Sequence, residues 1–393
     1  MRQKILRIAL LTNVLEPFSS ISGIGRQYAD LADGLARLGH QVTVIGVGVT
    51  ASYETSASWG TLISIPKPAT KRRFLPQSWQ NAILISREMF NRKKSFDVIE
   101  STSFPGLTAF LLPTNVPVVI RLITSVLADT NTPLTMTIPQ FILEWLSVRR
   151  ASLLIAASSY IIKKARILYR IAENKPDLVP LGVADVARDA PDGSTELVSF
   201  IVIAGAMHRK GTDVLLKAIE RVLESTSNFE LTLVGPKYAI YDDFVTLSED
   251  LTRSWTIIQR KMQNRLRVMT EVPQSEKLSI LERSDYLIMP SRSESFGIPI
   301  IEAMRAATPI ISSAGGALLE IVSLSSANFV YDNPEDSEAL AEFVLLGISE
   351  GRTDARERGR LVRKVYEDRF TTEIYAANTE RSYYRALELK HGA

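Results

Sequence analysis

The sequence contains no cysteine, which excludes disulfides, thiolate catalysis and cysteine-held zinc or iron–sulfur centres. Its histidines, His40, His208 and His391, stand far apart, so no histidine-rich metal site is expected. No run reaches the roughly 18 apolar residues of a membrane-spanning helix. The opening "MRQKILRIALLTNVLE" meets a glutamate after a short apolar run and reads as a first buried strand, not a secretory leader. Solenoid-length repeats and low-complexity segments are missing as well. The expectation is a soluble, cytoplasmic protein.

What is present is length and alternation. A chain of 393 residues exceeds one ordinary core, so two domains are expected. Its formal charge of +3 is the sum of a basic and an acidic half. Residues 1–185 hold 21 Lys+Arg against 12 Asp+Glu (net +9), and the remainder holds 25 against 31 (net −6). The basic residues cluster in "KPATKRRF" (Lys67, Lys71, Arg72, Arg73) and "NRKK" (Arg92, Lys93, Lys94). Solvated helix ends and loops account for such clusters; so does attraction to an acidic membrane or a phosphate-bearing acceptor. No nucleic-acid partner is expected, because no aromatic-interleaved basic strand or recognition motif accompanies the charge.

Short β-branched runs alternate with amphipathic segments throughout. Strands are predicted at 5–12, 41–47, 61–65, 96–100, 116–122 and 151–158, with helices such as 24–39, whose Tyr28, Leu31, Leu35 and Leu38 share one face up to Gly39. Around "VARDAPDGSTE" (183–193) the periodicity lapses into a linker, then restarts with strands at 197–205, 229–236, 266–272, 284–291, 308–316 and 327–331. Continuous apolar strands joined by helices imply parallel sheets covered on both faces. The reading is α/β: a Rossmann-like domain at 1–185, a second at 186–370, and a C-terminal helix at 371–393 packing back on the first, its Tyr375, Tyr383 and Tyr384 serving as core or strut. Two such sheets facing an interdomain cleft would bind ligand there.

The stretch "PSRSESFGIPIIEAMRAATP" (290–309) places Glu294 and Glu302 eight positions apart around a strand-to-helix turn, with Pro299 favouring a helix start. Free N–H groups and the dipole make that turn a phosphate site, and carboxylates beside it can accept bonds from sugar hydroxyls. Acids at a helix start are also stabilised by the dipole alone. The remaining loops bear on that choice. "AGAMHRKGTDVLLKAI" (204–219) brackets Arg209 and Lys210 with Gly205 and Gly211, and "SISGIGRQYADL" (20–31) supplies Gly23 and Gly25. Cations and glycines after strands suit a diphosphate flanked by hydroxyls, as in a nucleotide sugar.

These segments, with "LARLGHQVTV", "ASLLIAASSYIIKKA", "LVPLGVAD" and "TPIISSAGGALLEIV", resemble the retaining glycosyltransferases of family 4, also called glycosyl transferases group 1, which have the GT-B fold. The resemblance implies sugar transfer from a nucleotide diphosphate sugar to a glycan, lipid-linked or small-molecule acceptor, with no cofactor and no metal. In its terms Glu294, Lys210 and Arg209 would be catalytic. Gly23, Gly25, Gly205, Ser295, Phe296, Gly297 and Glu302 would bind the donor. Glu100 and Arg121, ending strands of the first domain, are assigned to the acceptor side. The chain departs from the family at Ala206, where Arg is usual, at Ile123, where many members have histidine, and at Ala307, where glycine is common. A nucleotide-sugar binding protein of the same fold is the alternative. His208 reads as a loop residue or a donor contact, and His40 as a helix-to-strand connector.

Overall fold

A computed structural model describes residues 4–13, 23–48, 52–67, 75–92, 95–112, 115–123, 134–171, 176–185, 196–205, 207–235, 249–270 and 272–391. Lys71, Arg72, Arg73, Lys93, Lys94 and Ala206 lie outside these residues, as does the side chain of His391. Contacts divide the chain into two compact units, residues 1–184 with 371–393, and residues 185–370.

The first unit is built on β1 (Arg7–Leu11), β2 (Gln41–Val47), β3 (Tyr53–Ala57), β4 (Gly60–Ile65), β5 (Val98–Thr102), β6 (Val118–Leu122), β7 (Leu153–Ala156) and β8 (Pro176–Leu178). Their spatial order is β3-β4-β2-β1-β5-β6-β7-β8, and all neighbours are parallel except β3 and β4. β1, β5 and β7 are buried almost throughout, as strands covered on both faces must be. "YETSA" carries no apolar run, so β3 forms only as an exposed edge turning back on β4. The turn needs Gly60, whose φ is 145° and where a Cβ would lie 2.2 Å from the Val42 carbonyl oxygen. Helices α1 (Gly23–Arg37), α2 (Gln77–Arg92), α3 (Leu134–Arg150) and α4 (Ser159–Tyr169) connect the strands, and the C-terminal helix (Thr372–His391) packs on α1.

The second unit holds β9 (Val198–Ile203), β10 (Phe229–Val234), β11 (Leu266–Met269), β12 (Tyr286–Met289), β13 (Ile310–Ser313) and β14 (Phe329–Tyr331). All six are parallel in the order β11-β10-β9-β12-β13-β14, with Tyr286 opposite Phe200 and Leu287 opposite Ile201. Helices α5 (Thr212–Ser225), α6 (Glu249–Met262), α7 (Gln274–Arg283), α8 (Ile298–Ala306), α9 (Leu318–Val322) and α10 (Ser337–Arg369, kinked at Gly351) surround the sheet; the helix 372–391 is α11. Aromatic rings run through the core: Phe200 stacks on Tyr286 at 5.6 Å, Tyr286 on Phe329 at 6.0 Å, and Phe329 on Phe343 at 5.2 Å. Strand order reverses between β9 and β12, the switch point beyond whose carboxyl ends open α/β sheets bind ligands.

Candidate active site

Two loops leave that switch point. After β9 the chain passes Ala204 and Gly205 into a short turn, His208–Lys210, and enters α5 through Gly211 at φ 70°. A Cβ at Gly211 would lie 1.9 Å from the Pro290 carbonyl oxygen, so only glycine lets the β9 loop meet the one after β12. The second loop, residues 290–297, ends at Gly297, which caps α8 at φ 95° with Pro299 in the first helical turn.

Glu294 is the meeting point. It is buried, and its Oε1 pairs with the Lys210 ammonium and accepts a 3.1 Å bond from Ser291 Oγ. Arg209 Nη1 lies 3.8 Å from the other carboxylate oxygen and donates to the Ser293 carbonyl at 3.0 Å. The Glu294 backbone is pinned by Ala317 N–H donating to its carbonyl at 2.9 Å. Lys210, Arg209 and Glu294, each singled out in the sequence, therefore form one cluster of cations around a carboxylate.

Glu302 lies on α8, 2% exposed, and is held from α7. Gln274 Nε2 donates to its Oε1 at 2.7 Å, and Lys277 Nζ sits 3.0 Å from Oε1 and 2.9 Å from Oε2. Neither partner was visible in the sequence, where a glutamine and a lysine on a separate helix carry no spacing relative to Glu302. One turn further, Arg305 is buried 3.7 Å from Glu282, and burial pushes its guanidinium below the ordinary value against the pull of Glu282 and Glu302.

Arg292 ties the loops together. Its Nη1 and Nη2 donate to Asp213 at 2.6 and 2.7 Å, its Nε to Glu335 at 2.5 Å, and Nη1 also to the His208 carbonyl at 2.6 Å. The backbone N–H of Arg292 donates to the Arg209 carbonyl at 3.0 Å. Burial pushes the Asp213 carboxyl up, but the bonds and charge of Arg292 outweigh it and leave Asp213 below its ordinary value. Glu335 is lowered by the same guanidinium. Placing this arginine beside Glu294 in sequence gave no hint that it clamps the Lys210 turn.

Gly205 follows β9, where a Cβ on Gly235 at the end of β10 would come within 2.9 Å of its nitrogen. Ser295 and Gly297 stand in the turn before α8, and Phe296 is buried edge-on against Phe370 with centroids 6.1 Å apart. Gly23 and Gly25 open α1 in the first unit. His208 is exposed and takes part through its carbonyl.

Glu100 and Arg121, placed on the acceptor side in the sequence reading, form a buried ion pair within the first unit. They are 0% and 1% exposed, Arg121 donating to Glu100 at 2.7 and 3.2 Å. Tyr383 OH donates to Glu100 at 2.6 Å, Arg121 Nη2 to Thr379 Oγ1 at 3.2 Å, and the guanidinium lies 5.0 Å from the Tyr375 ring centroid. The pair anchors α11 inside the first unit. His40 contributes to the same end: its Nδ1 accepts from Leu6 N–H at 3.2 Å, which leaves Nε2 to donate to Glu380 at 2.9 Å. Ile123, at the end of β6, donates its backbone N–H to Ser103 Oγ at 3.2 Å.

Residues 191–362 match the family of glycosyl transferases group 1, and residues 21–185 match glycosyltransferase family 4. An uncharacterized glycosyltransferase of Methanocaldococcus jannaschii is 23% identical over 416 residues, covering 98% of this chain and 99% of its own. A lipopolysaccharide core biosynthesis mannosyltransferase of Rhizobium leguminosarum is 22% identical over 326 residues, covering 82% of each chain. Among solved structures, the Anabaena protein HepE, crystallised in complex with UDP and glucose, superposes with a TM-score of 0.68 at 16% identity, covering 96% of this chain and 99% of its own.

Proposed function

Because this chain belongs to the group 1 glycosyltransferases and has their GT-B fold of two Rossmann-like domains, we propose that it moves a sugar from a nucleotide diphosphate sugar to an acceptor hydroxyl with retention of anomeric configuration. The observation that carries this reading is the convergence of Lys210, Arg209, Glu294 and the capped start of α8 on one end of the sheet, with Glu302 one turn along α8. The donor diphosphate is assigned to Lys210, Arg209, Gly205 and the N–H groups at Ser295–Gly297, and the ribose hydroxyls to Glu302. Glu294 orients the transferred sugar.

In the reaction the bond between the anomeric carbon and the diphosphate oxygen breaks, and a bond from that carbon to the acceptor oxygen forms on the same face. The acceptor's proton passes to the departing diphosphate. Negative charge develops on the leaving group, and two cations with an aligned helix start stabilise charge growing there more than charge already spread over the bound donor. These protein groups supply the positive charge the step requires, so we assign no metal ion and no cofactor to it.

The acceptor is assigned to the first unit. The net charge of +9 over residues 1–185 supports a lipid-linked or membrane-proximal acceptor met in the cytoplasm, at the inner face of a membrane. The test is a calorimetric screen of nucleoside diphosphates and their sugars, followed by NMR of the product's anomeric centre. One donor bound and consumed with its configuration kept supports the proposal; an inverted product overturns the retaining assignment.

A further inference from the structure

In the first unit α2 packs on α3 and α3 on α4, while α1 packs on α11. Right-handed crossovers place the first group on one face of the sheet and α1 on the other. α3 has a buried side, with Leu143 and Val148 fully covered, and also a second apolar stripe facing water. Ile138, Ile142 and Trp145 are 55%, 41% and 38% exposed, and Arg149 continues the same stripe with its guanidinium 5.4 Å from the Trp145 ring centroid. α2 repeats the pattern with Ile83 and Phe90, 41% and 50% exposed. On α4, Ile167 is 79% exposed. The helices are continuous: Trp79 Nε1 donates to the Pro139 carbonyl at 3.1 Å, and Phe141 stacks on Tyr169 at 5.8 Å.

Charge is as uneven as hydrophobicity. α2, α3 and residues 159–170 together hold eight Lys and Arg against two Glu. Both acids are engaged, Glu88 by Arg92 at 2.6 Å and Glu144 by the Tyr169 hydroxyl at 2.9 Å. On α1 and α11 the count is five against five. The basic excess of the N-terminal half is therefore concentrated, among the described helices, on the face that also exposes the apolar stripes.

We infer that the α2–α3–α4 face docks the protein on an anionic lipid bilayer. Ile138, Ile142 and Trp145 enter the headgroup boundary and the surrounding cations meet lipid phosphates, the combination by which amphipathic helices hold a membrane surface. No described helix is long and apolar enough to cross a membrane, so the contact is interfacial. The inference rests on the membrane-proximal reading of the acceptor and names the surface that serves it.

The test is co-sedimentation of the full chain with phosphatidylglycerol–phosphatidylcholine vesicles and with pure phosphatidylcholine vesicles. Binding to the anionic vesicles is expected, weakening with added salt, and the exposed substitutions Ile142→Ser and Trp145→Ser should each lower it about tenfold. Leu361→Ser, at a position 55% exposed in the other unit, should leave it unchanged. Equal binding to both vesicle types, no effect of the stripe substitutions, or a dimer in light scattering that these substitutions dissociate would overturn the inference, the last by assigning the face to a second copy. Donor calorimetry on the same variants separates the two readings. Retained donor binding with no vesicle binding sinks the surface alone, while a wild type that binds vesicles and no donor sinks the transferase assignment.

Discussion

Arg292 and Asp213 form a two-point ion pair, at 2.6 and 2.7 Å, that fastens the loop after β12 to the first turn of α5. Arg292→Met leaves a half-buried Asp213 without its partner, and a stability loss of about 1–3 kcal/mol at neutral pH is expected. Because Asp213 is held below its ordinary value, its stabilisation is complete above the unfolded carboxylate range near pH 4 and drains as pH falls through the lower folded value. Urea unfolding of wild type and variant should show a gap that is constant above about pH 5 and narrows below about pH 4. A gap unchanged across that range would contradict the assignment.

Ala307 closes α8 with φ 55°, a left-handed conformation that costs a residue with a Cβ, and both of its neighbouring carbonyl acceptors, Ala303 and Met304, are satisfied. Ala307→Gly is expected to stabilise the protein by about 0.5–1 kcal/mol, the relief of strain exceeding the greater freedom of the unfolded chain. The readout is a higher urea midpoint at unchanged slope; a lower midpoint would show that no strain is stored there.

The Glu100–Arg121–Tyr383 network supplies a third expectation. Arg121→Met strands a fully buried carboxylate and should cost about 3–5 kcal/mol, whereas Tyr383→Phe removes one bond and should cost about 1–2 kcal/mol. Denaturant unfolding of both variants and of their combination checks this, with a double variant less destabilised than the sum because the two share Glu100.

The fold was legible because most strands are buried on both faces and read as unbroken apolar runs, while α1 and α8 announce themselves through Gly39 and Pro299. "YETSA" was illegible as β3 since an edge strand needs no apolar face. In the site, Glu294, Glu302 and Lys210 stood out through glycines and local spacing. Lys277, Gln274 and Glu335 did not, because only the folded sheet brings α7 to α8 and the turn before α10 to the β12 loop. Glu100 and Arg121 look in sequence like any strand-end charges, and what buries them is a helix 283 and 258 residues away.

Donor binding and sugar transfer, compared for wild type, Glu302→Ala and Glu294→Gln, decide whether this cluster is a nucleotide-sugar site. Glu302→Ala is expected to weaken nucleoside diphosphate binding by about ten- to a hundredfold, the worth of a charge-assisted contact. Glu294→Gln should bind the nucleoside diphosphate nearly as well as wild type while transferring sugar about a hundredfold more slowly. Unchanged binding by Glu302→Ala together with full turnover by Glu294→Gln would contradict the assignment of these two carboxylates to the donor.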